Sequence, residues 1–322
     1  MKLIVQIPCF NEEQTLRQTV ADIPRDISGF DQVEILVIDD GSTDGTVRVA
    51  EELGVDYVVR HKMRRGLARA FGTGVDTCLK LGADVIVNTD GDNQYAGKDI
   101  PKLCEPILKG EADIVIGDRQ TQNLEHFSYI KKKFQKVGSA IVRALSDTDV
   151  RDAVSGFRAL SREAAMQINI VSSFSYTVEM IIQAGKKQIA IKSVPVEVKE
   201  TARASRLFES IPRFIADQVT TIVRMYSMFQ PLRVFFYIGM VLSIIGAIPM
   251  IRFFYFYTIG EGGGHIQSLV LGGVLLMMGF VTFMIGLLAD LISFNRQLLE
   301  MTLERVKTLE FQQAKEMREK KS

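Results

Sequence analysis

Residues 85–95, VIVNTDGDNQY, run from an apolar stretch straight into Asp90, Gly91, Asp92 and Gln94. Alternate residues of extended chain share a side, so Asp90 and Asp92 can converge on one hard cation, and the glycine between them permits close backbone approach. Oxygen donors of this kind suit Mg²⁺ or Mn²⁺, which are commonly shared with substrate phosphates. An Asp-x-Asp pair by itself is an ordinary acidic turn, and what gives this one weight is the chain around it.

Outward from that stretch, short apolar runs alternate with segments of helical period as far as about residue 200, the pattern of an α/β domain with a mainly parallel sheet. Strands are expected at Leu3 to Ile7, Glu34 to Ile38, Asp56 to Val59, Val85 to Asn88 and Asp113 to Ile116. Ligands of open α/β sheets lie beyond the carboxyl ends of the strands, so chemistry is expected around Asn11, Asp39 and Asp90. A second acidic strand end stands in EILVIDDGSTDGT, residues 34–46. There Ser42, Thr43 and Asp44 offer helix capping groups, whereas Asp39 and Asp40 offer acceptors for a base or ribose.

Lys and Arg number 39 against 38 Asp and Glu, a balance that excludes a nucleic-acid protein built on basic excess. The three cysteines, Cys9, Cys78 and Cys104, form no C-x-x-C pair and imply neither a disulfide framework nor a zinc site, in keeping with a reducing compartment. The opening MKLIVQIPCFNEE lacks the cleavage pattern of a signal peptide and reads as a first strand.

Beyond residue 233 the composition changes. Val234 to Tyr257 and Ile266 to Ile292 are each about 20 residues or longer and almost wholly apolar, enough to cross a bilayer. The connecting TIGEGGGH carries no Lys or Arg, while Arg224 and Arg233 precede the first span and Arg296, Arg305 and Lys307 follow the second. By the positive-inside tendency the catalytic domain and both termini are cytoplasmic. Residues 207–230 have apolar positions at helical spacing among Arg and Asp, as in juxtamembrane amphipathic helices, or equally in a helix packed on the preceding domain. The organisation expected is a catalytic domain over 1–205, juxtamembrane helices over 206–233, two transmembrane helices over 234–292 and a solvated helical tail over 293–322.

Basic residues form another group: Arg119 after a strand, then IKKKFQKVGSA, residues 130–140, in which Lys132 and Lys136 share a helix face. They can grip one phosphate, or equally form a solvated basic face. RRGLARAFGTGVDT lacks Walker spacing and reads as a helix start, where amide groups favour anions.

QIPCFNEE, VIDDGSTDGT, RRGLARAFGTG, NTDGDNQY and DAVSGFR, in this order, resemble family 2 glycosyltransferases of the GT-A fold. The likeness is narrower to the dolichyl-phosphate mannose synthase and bactoprenol glucosyltransferase group, and covers residues 1 to about 205. It implies a Rossmann-like GT-A sheet and transfer of a sugar from a UDP- or GDP-linked donor to polyprenyl phosphate. Pro8, Asn11, Glu12, Asp39, Arg65, Gly66, Asp90 and Gly91 would hold the nucleotide-sugar, and Asp90, Asp92 and Gln94 the Mg²⁺ or Mn²⁺. Asp92 and Asp152 would be catalytic, Asp152 as base or as acceptor-orienting group. Arg119, Lys132, Lys136, Arg203, Ser205 and Arg206 would meet the acceptor phosphate. The alternatives are transfer to a glycerolipid or polysaccharide hydroxyl, or a non-catalytic membrane scaffold. Sugar, base, prenyl length and oligomeric state, monomer or homo-oligomer, stay open.

Overall fold

A computed structural model describes residues 1–120, 142–143, 146, 148–171, 176–199, 220, 223–224 and 226–319. The chain divides into two compact units, one of Met1–Ile222 with Glu304–Ser322, the other of Val223–Leu303.

The first unit carries a seven-stranded sheet in the order β3-β2-β1-β4-β6-β5-β7. The five expected strands are present as β1 (Lys2–Cys9), β2 (Gln32–Asp39), β3 (Tyr57–Arg60), β4 (Val85–Asn88) and β5 (Ile114–Asp118). Among the described residues the helices between them are α1 (Leu16–Ala21), α2 (Thr46–Glu52), α3 (Leu67–Lys80) and α4 (Ile100–Leu108). Runs such as Ile35 to Ile38 and Val85 to Val87 are wholly buried, because a parallel sheet is covered on both faces. Two further strands lie outside the sequence expectation: β6 (Arg158–Ser161) and β7 (Ile191–Pro195), separated by α5 (Arg162–Gln167) and α6 (Tyr176–Lys186). β6 runs antiparallel between β4 and β5, whereas β7 is parallel to β5. Four residues containing an arginine carry too little apolar pattern to read as a buried strand.

Register decides where the loops emerge. Cys9 pairs with Asp39 and Gln6 with Asn88, so the chain leaves β1, β2 and β4 at one edge of the sheet.

In the second unit, α7 (Pro231–Thr258) contains the expected first span. The second span opens α8 (Ile266–Glu319), which continues without a break through the tail. Both helices have apolar windows of mean hydropathy 2.3, of which only 11% and 17% are buried in protein. Side chains such as Ile248, Ile251, Met277 and Ile292 are more than half exposed, an apolar surface that water does not tolerate and a bilayer does. Small residues let the two helices meet closely: a Cβ on Gly239 would stand 2.8 Å from the carbonyl of Gly279, and one on Gly272 2.8 Å from that of Gly246. The juxtamembrane stretch expected over 206–233 lies largely outside the described residues. From Glu304 onward α8 belongs to the first unit, and the tail expected to be solvated sets Lys307 Nζ 3.3 Å from Asp76 Oδ1 and 3.1 Å from Asn169 Oδ1. Opposite charge and an amide acceptor give that lysine a reason to leave solvent.

Candidate active site

The loops after β1 and β2 are sewn together by their own polar side chains. Asn11, with a φ of 55°, donates its N–H to Ser42 Oγ at 2.9 Å and accepts the N–H of Thr43 at 2.9 Å. Glu12 N–H donates to Thr46 Oγ1 at 2.8 Å. Asp39 is fully buried and accepts the N–H of Ser42 at 3.1 Å, with Arg60 Nε 3.4 Å away. Asp40 does more than the sequence reading assigned to it. Its two oxygens accept the N–H groups of Arg65 and Gly66, each at 2.8 Å, and His61 Nδ1 lies 2.8 Å from Oδ1. The Arg65/Gly66 turn, which opens α3, is therefore held by an acid at the end of β2. The side chain of Arg65 is exposed, and that of its neighbour Arg64 lies over the Phe10 ring at 4.3 Å.

After β4 the chain turns through Asp90 and Asp92. A Cβ on Gly91 would stand 2.9 Å from Cys9 Sγ and 3.2 Å from Glu12 Cγ, so no larger residue fits between the β1 and β4 loops. Its carbonyl accepts from Thr15 Oγ1 at 2.8 Å and Thr19 Oγ1 at 3.2 Å, which pins this turn to α1. Asp92 Oδ1 accepts the N–H of Gln94 within the loop, and the Gln94 carbonyl accepts the N–H of Lys199, which ties the loop to the segment after β7. Among the described residues no hydrogen bond reaches the Asp90 carboxylate. Burial first, then the negative charge of Asp92, push its pKa up to about 7, against the pull of Arg119.

With no hydrogen-bond donor among the described residues, Asp90 is a candidate ligand for a cation. No group of three or more His, Cys, Asp or Glu among the described residues is placed to hold one unaided. Two carboxylates fit Mg²⁺ or Mn²⁺, which complete their shell with water and substrate phosphate, and do not fit a closed zinc site.

Facing Asp90 is the turn that precedes β6. Asp152, 2% exposed, takes a two-pronged contact from Arg119, Nε to Oδ2 at 2.7 Å and Nη2 to Oδ1 at 3.0 Å. Burial works against the charge of Arg119, yet Tyr95, Asp152 and Asp90 together raise its pKa above the ordinary value, so it stays cationic. Arg158 is completely buried and donates to the carbonyls of Ala153 at 2.9 Å and Ser155 at 2.8 Å. Burial lowers its pKa to about 10.

The structure thus brings Pro8, Asn11, Glu12, Asp39, Arg65, Gly66, Asp90, Gly91, Asp92 and Gln94 to one sheet edge, and joins Asp152 to Arg119. Lys132, Lys136, Arg203, Ser205 and Arg206 lie outside the described residues. Asn88, Tyr95, Gly156, Arg158 and Tyr176 take part without having been singled out. Their signal was the placement of polar residues within apolar strands, as in VIVN and GFRAL, where burial demands a partner.

Residues 4–168 match the family model described as Glycosyl transferase family 2. The chain is 28% identical over 213 residues to the UDP-N-acetylglucosamine–dolichyl-phosphate N-acetylglucosaminyltransferase of Methanococcus voltae, covering 59% of this chain and 83% of that protein. It is 27% identical over 210 residues to the polyprenol monophosphomannose synthase of Mycolicibacterium smegmatis, covering 62% and 78%. Among solved structures, glucosyl-3-phosphoglycerate synthase from Mycobacterium tuberculosis, in complex with Mn²⁺, UDP-glucose and phosphoglyceric acid, superposes with a TM-score of 0.57 at 22% identity, covering 70% of this chain and 80% of that one. With just over half of its length matched by the family model, and with acidic strand ends gathered at one edge of this sheet, the chain belongs to glycosyl transferase family 2.

Proposed function

We propose that this chain transfers a sugar from a UDP- or GDP-linked donor to the phosphate of a polyprenyl lipid. The observation that carries the reading is the pairing of Asp90, which takes no hydrogen bond from the described residues, with Asp92 across from a permanently charged Arg119, in a chain with two bilayer-length apolar helices. The named activities of the dolichyl-phosphate and polyprenol-phosphate relatives support it.

Asp90 and Asp92 would hold Mg²⁺ or Mn²⁺, with Gln94 at the loop's far side. When bound, that ion supplies neutralisation of the charge that develops on the departing nucleotide diphosphate. The Mn²⁺ in the structural neighbour supports a divalent ion of this class. Asn11, Glu12, Asp39 and the Arg65/Gly66 turn line the nucleotide side. On the acceptor side, Arg119 attracts the lipid phosphate, with Lys132, Lys136, Arg203, Ser205 and Arg206 as further contacts. A phosphate monoester is largely dianionic at pH 7, so its oxygen attacks the anomeric carbon without a proton having to be removed. The bond from that carbon to the diphosphate oxygen breaks as the new one forms, which inverts the anomeric configuration. Asp152 then needs no basicity: in its contact with Arg119 it orients the guanidinium.

The test is incubation of the purified full chain with labelled UDP- and GDP-sugars, polyprenyl phosphate and Mg²⁺ or Mn²⁺, followed by mass analysis of the lipid. A cation-dependent polyprenyl phosphosugar is expected. Glycosylated glycerolipid, or free sugar with no lipid product from any donor, would overturn the reading.

The catalytic unit and both termini are proposed to face the cytoplasm, as the Arg224, Arg233, Arg296, Arg305 and Lys307 flanks support. Cysteines introduced as Gly263→Cys and Glu319→Cys should respond oppositely to an impermeant thiol reagent on intact cells, with Gly263→Cys labelled and Glu319→Cys protected. The native thiols are buried and give little background. Labelling at Glu319→Cys alone would invert the topology.

A further inference from the structure

The peptide groups of Gly156 are held by a set of side chains out of proportion to one turn residue. Its N–H donates to Tyr95 Oη at 3.1 Å. Its carbonyl accepts from Asn88 Nδ2 at 2.8 Å and from Tyr176 Oη at 3.3 Å. Asn88 is fixed in turn by Gln6 Nε2 at 2.9 Å. All four side chains are at most 4% exposed, and the two rings are themselves immobilised. Tyr176 stacks on Phe71 at 3.8 Å between centroids and Tyr95 on Phe157 at 4.9 Å. A Cβ built on Gly156 would stand 2.9 Å from each oxygen of Asp90, so the carboxylate rests directly on this residue. The same turn begins at Asp152, bound to Arg119, and is braced from within by Arg158 through the carbonyls of Ala153 and Ser155.

We propose that the turn from Asp152 to Gly156 is a spacer of fixed length between the cation-binding carboxylates and the acceptor arginine, and that Gly156 is the positioning residue for Asp90. The inference rests on Asp90 being a cation ligand. A carboxylate with no hydrogen bond from the described residues has to be located by what it touches, and a buried, fully paired peptide is a rigid stop. Gly156 offers Asp90 that stop from the end of the spacer whose other end fixes Arg119. The reacting atoms contributed by donor and acceptor are thereby set at one separation, the condition under which orientation lowers a barrier.

Gly156→Ala and Tyr95→Phe test this in the full chain, with Mn²⁺ and either UDP or GDP as probes and free Mn²⁺ read by its paramagnetic resonance signal. The added methyl cannot be absorbed by a clamped backbone, so Asp90 must move, and Mn²⁺ affinity should fall about tenfold or more. Tyr95→Phe keeps the ring stack and removes the hydroxyl that accepts the Gly156 N–H, and a smaller fall, roughly threefold to tenfold, is expected. In both variants kcat should drop further than saturating Mn²⁺ can restore. Parental Mn²⁺ binding in both, with binding abolished in Asp90→Asn, would overturn the spacer and leave the cation reading intact. No Mn²⁺ binding by the parent with either nucleotide would overturn the cation reading and the inference with it. If Gly156→Ala does not fold, Tyr95→Phe decides alone.

Discussion

Asp90→Asn should abolish turnover while making the cation-free protein more stable. The loss is expected to exceed about a thousandfold, the scale on which removal of one electrostatic element at a charge-developing centre is felt. The gain follows from the pKa of Asp90, which burial and Asp92 push up to about 7 from an ordinary 3.8. A carboxyl raised in this way is preferentially protonated in the folded state, so folding is penalised as the pH climbs from about 4 through 7, and the penalty is complete above 7. Replacing the acid by its amide removes a penalty of roughly 1 to 3 kcal/mol at pH 8 and changes little near pH 4. Cys9, Cys78 and Cys104 are all buried in the first unit, so a thiol-reactive fluorescent dye reports the melting of that unit alone. In EDTA at pH 8 the variant should melt above the parent, and at pH 4 with it. A variant that melts lower at both values would make Asp90 a structural acid. Stability surrendered for function is the expected mark of a site that waits for a ligand.

The second large effect concerns Arg119. Arg119→Ala strands Asp152, which is 2% exposed, as a buried charge without its bidentate partner, a change that costs about 3 to 5 kcal/mol. Turnover should fall at least about a hundredfold, with the loss concentrated in the dependence on polyprenyl phosphate and nucleotide-sugar affinity nearly parental. The double variant Arg119→Met with Asp152→Leu separates the two consequences, because removing both charges together is commonly neutral for folding. It should recover most of the lost stability and none of the lost activity. Recovery of turnover in the double variant would show that the pair is structural. Asp152→Asn completes the comparison: a general base contributes about a hundredfold to ten-thousandfold, so retention of more than a tenth of parental kcat marks Asp152 as orienting Arg119. A loss as deep as that of Asp90→Asn would restore it as the base.

Much of this could be read along the chain. Ile35 to Ile38 and Val85 to Val87 are continuous apolar runs because their strands are covered on both faces, and these strands were visible for that reason. Asp39, Asp40, Asp90 and Asp92 were conspicuous because acids directly after such runs have no part in a core. The two long apolar helices declare themselves by composition, which needs no knowledge of what they touch. These are properties of a residue and its immediate neighbours in sequence.

What stayed hidden was decided by the order of strands across the sheet. β6 is four residues long and opens on a buried arginine, and it becomes a strand only because β4 and β5 supply ladders on both its sides. Its insertion between them carries the Asp152 turn to the mouth of β4. Arg119 and Asp152, 33 residues apart, form their ion pair there, and Gly156 lies against Asp90 from 66 residues away. For the same reason Asp152 looks like a free acid in sequence and proves to be an arginine's partner in space. Local pattern determined where the first five strands, the acids and the membrane helices occur, since burial of a repeating face acts on near neighbours. The distances between catalytic groups were left to tertiary structure, because the strand pairing that sets them joins segments the sequence keeps apart.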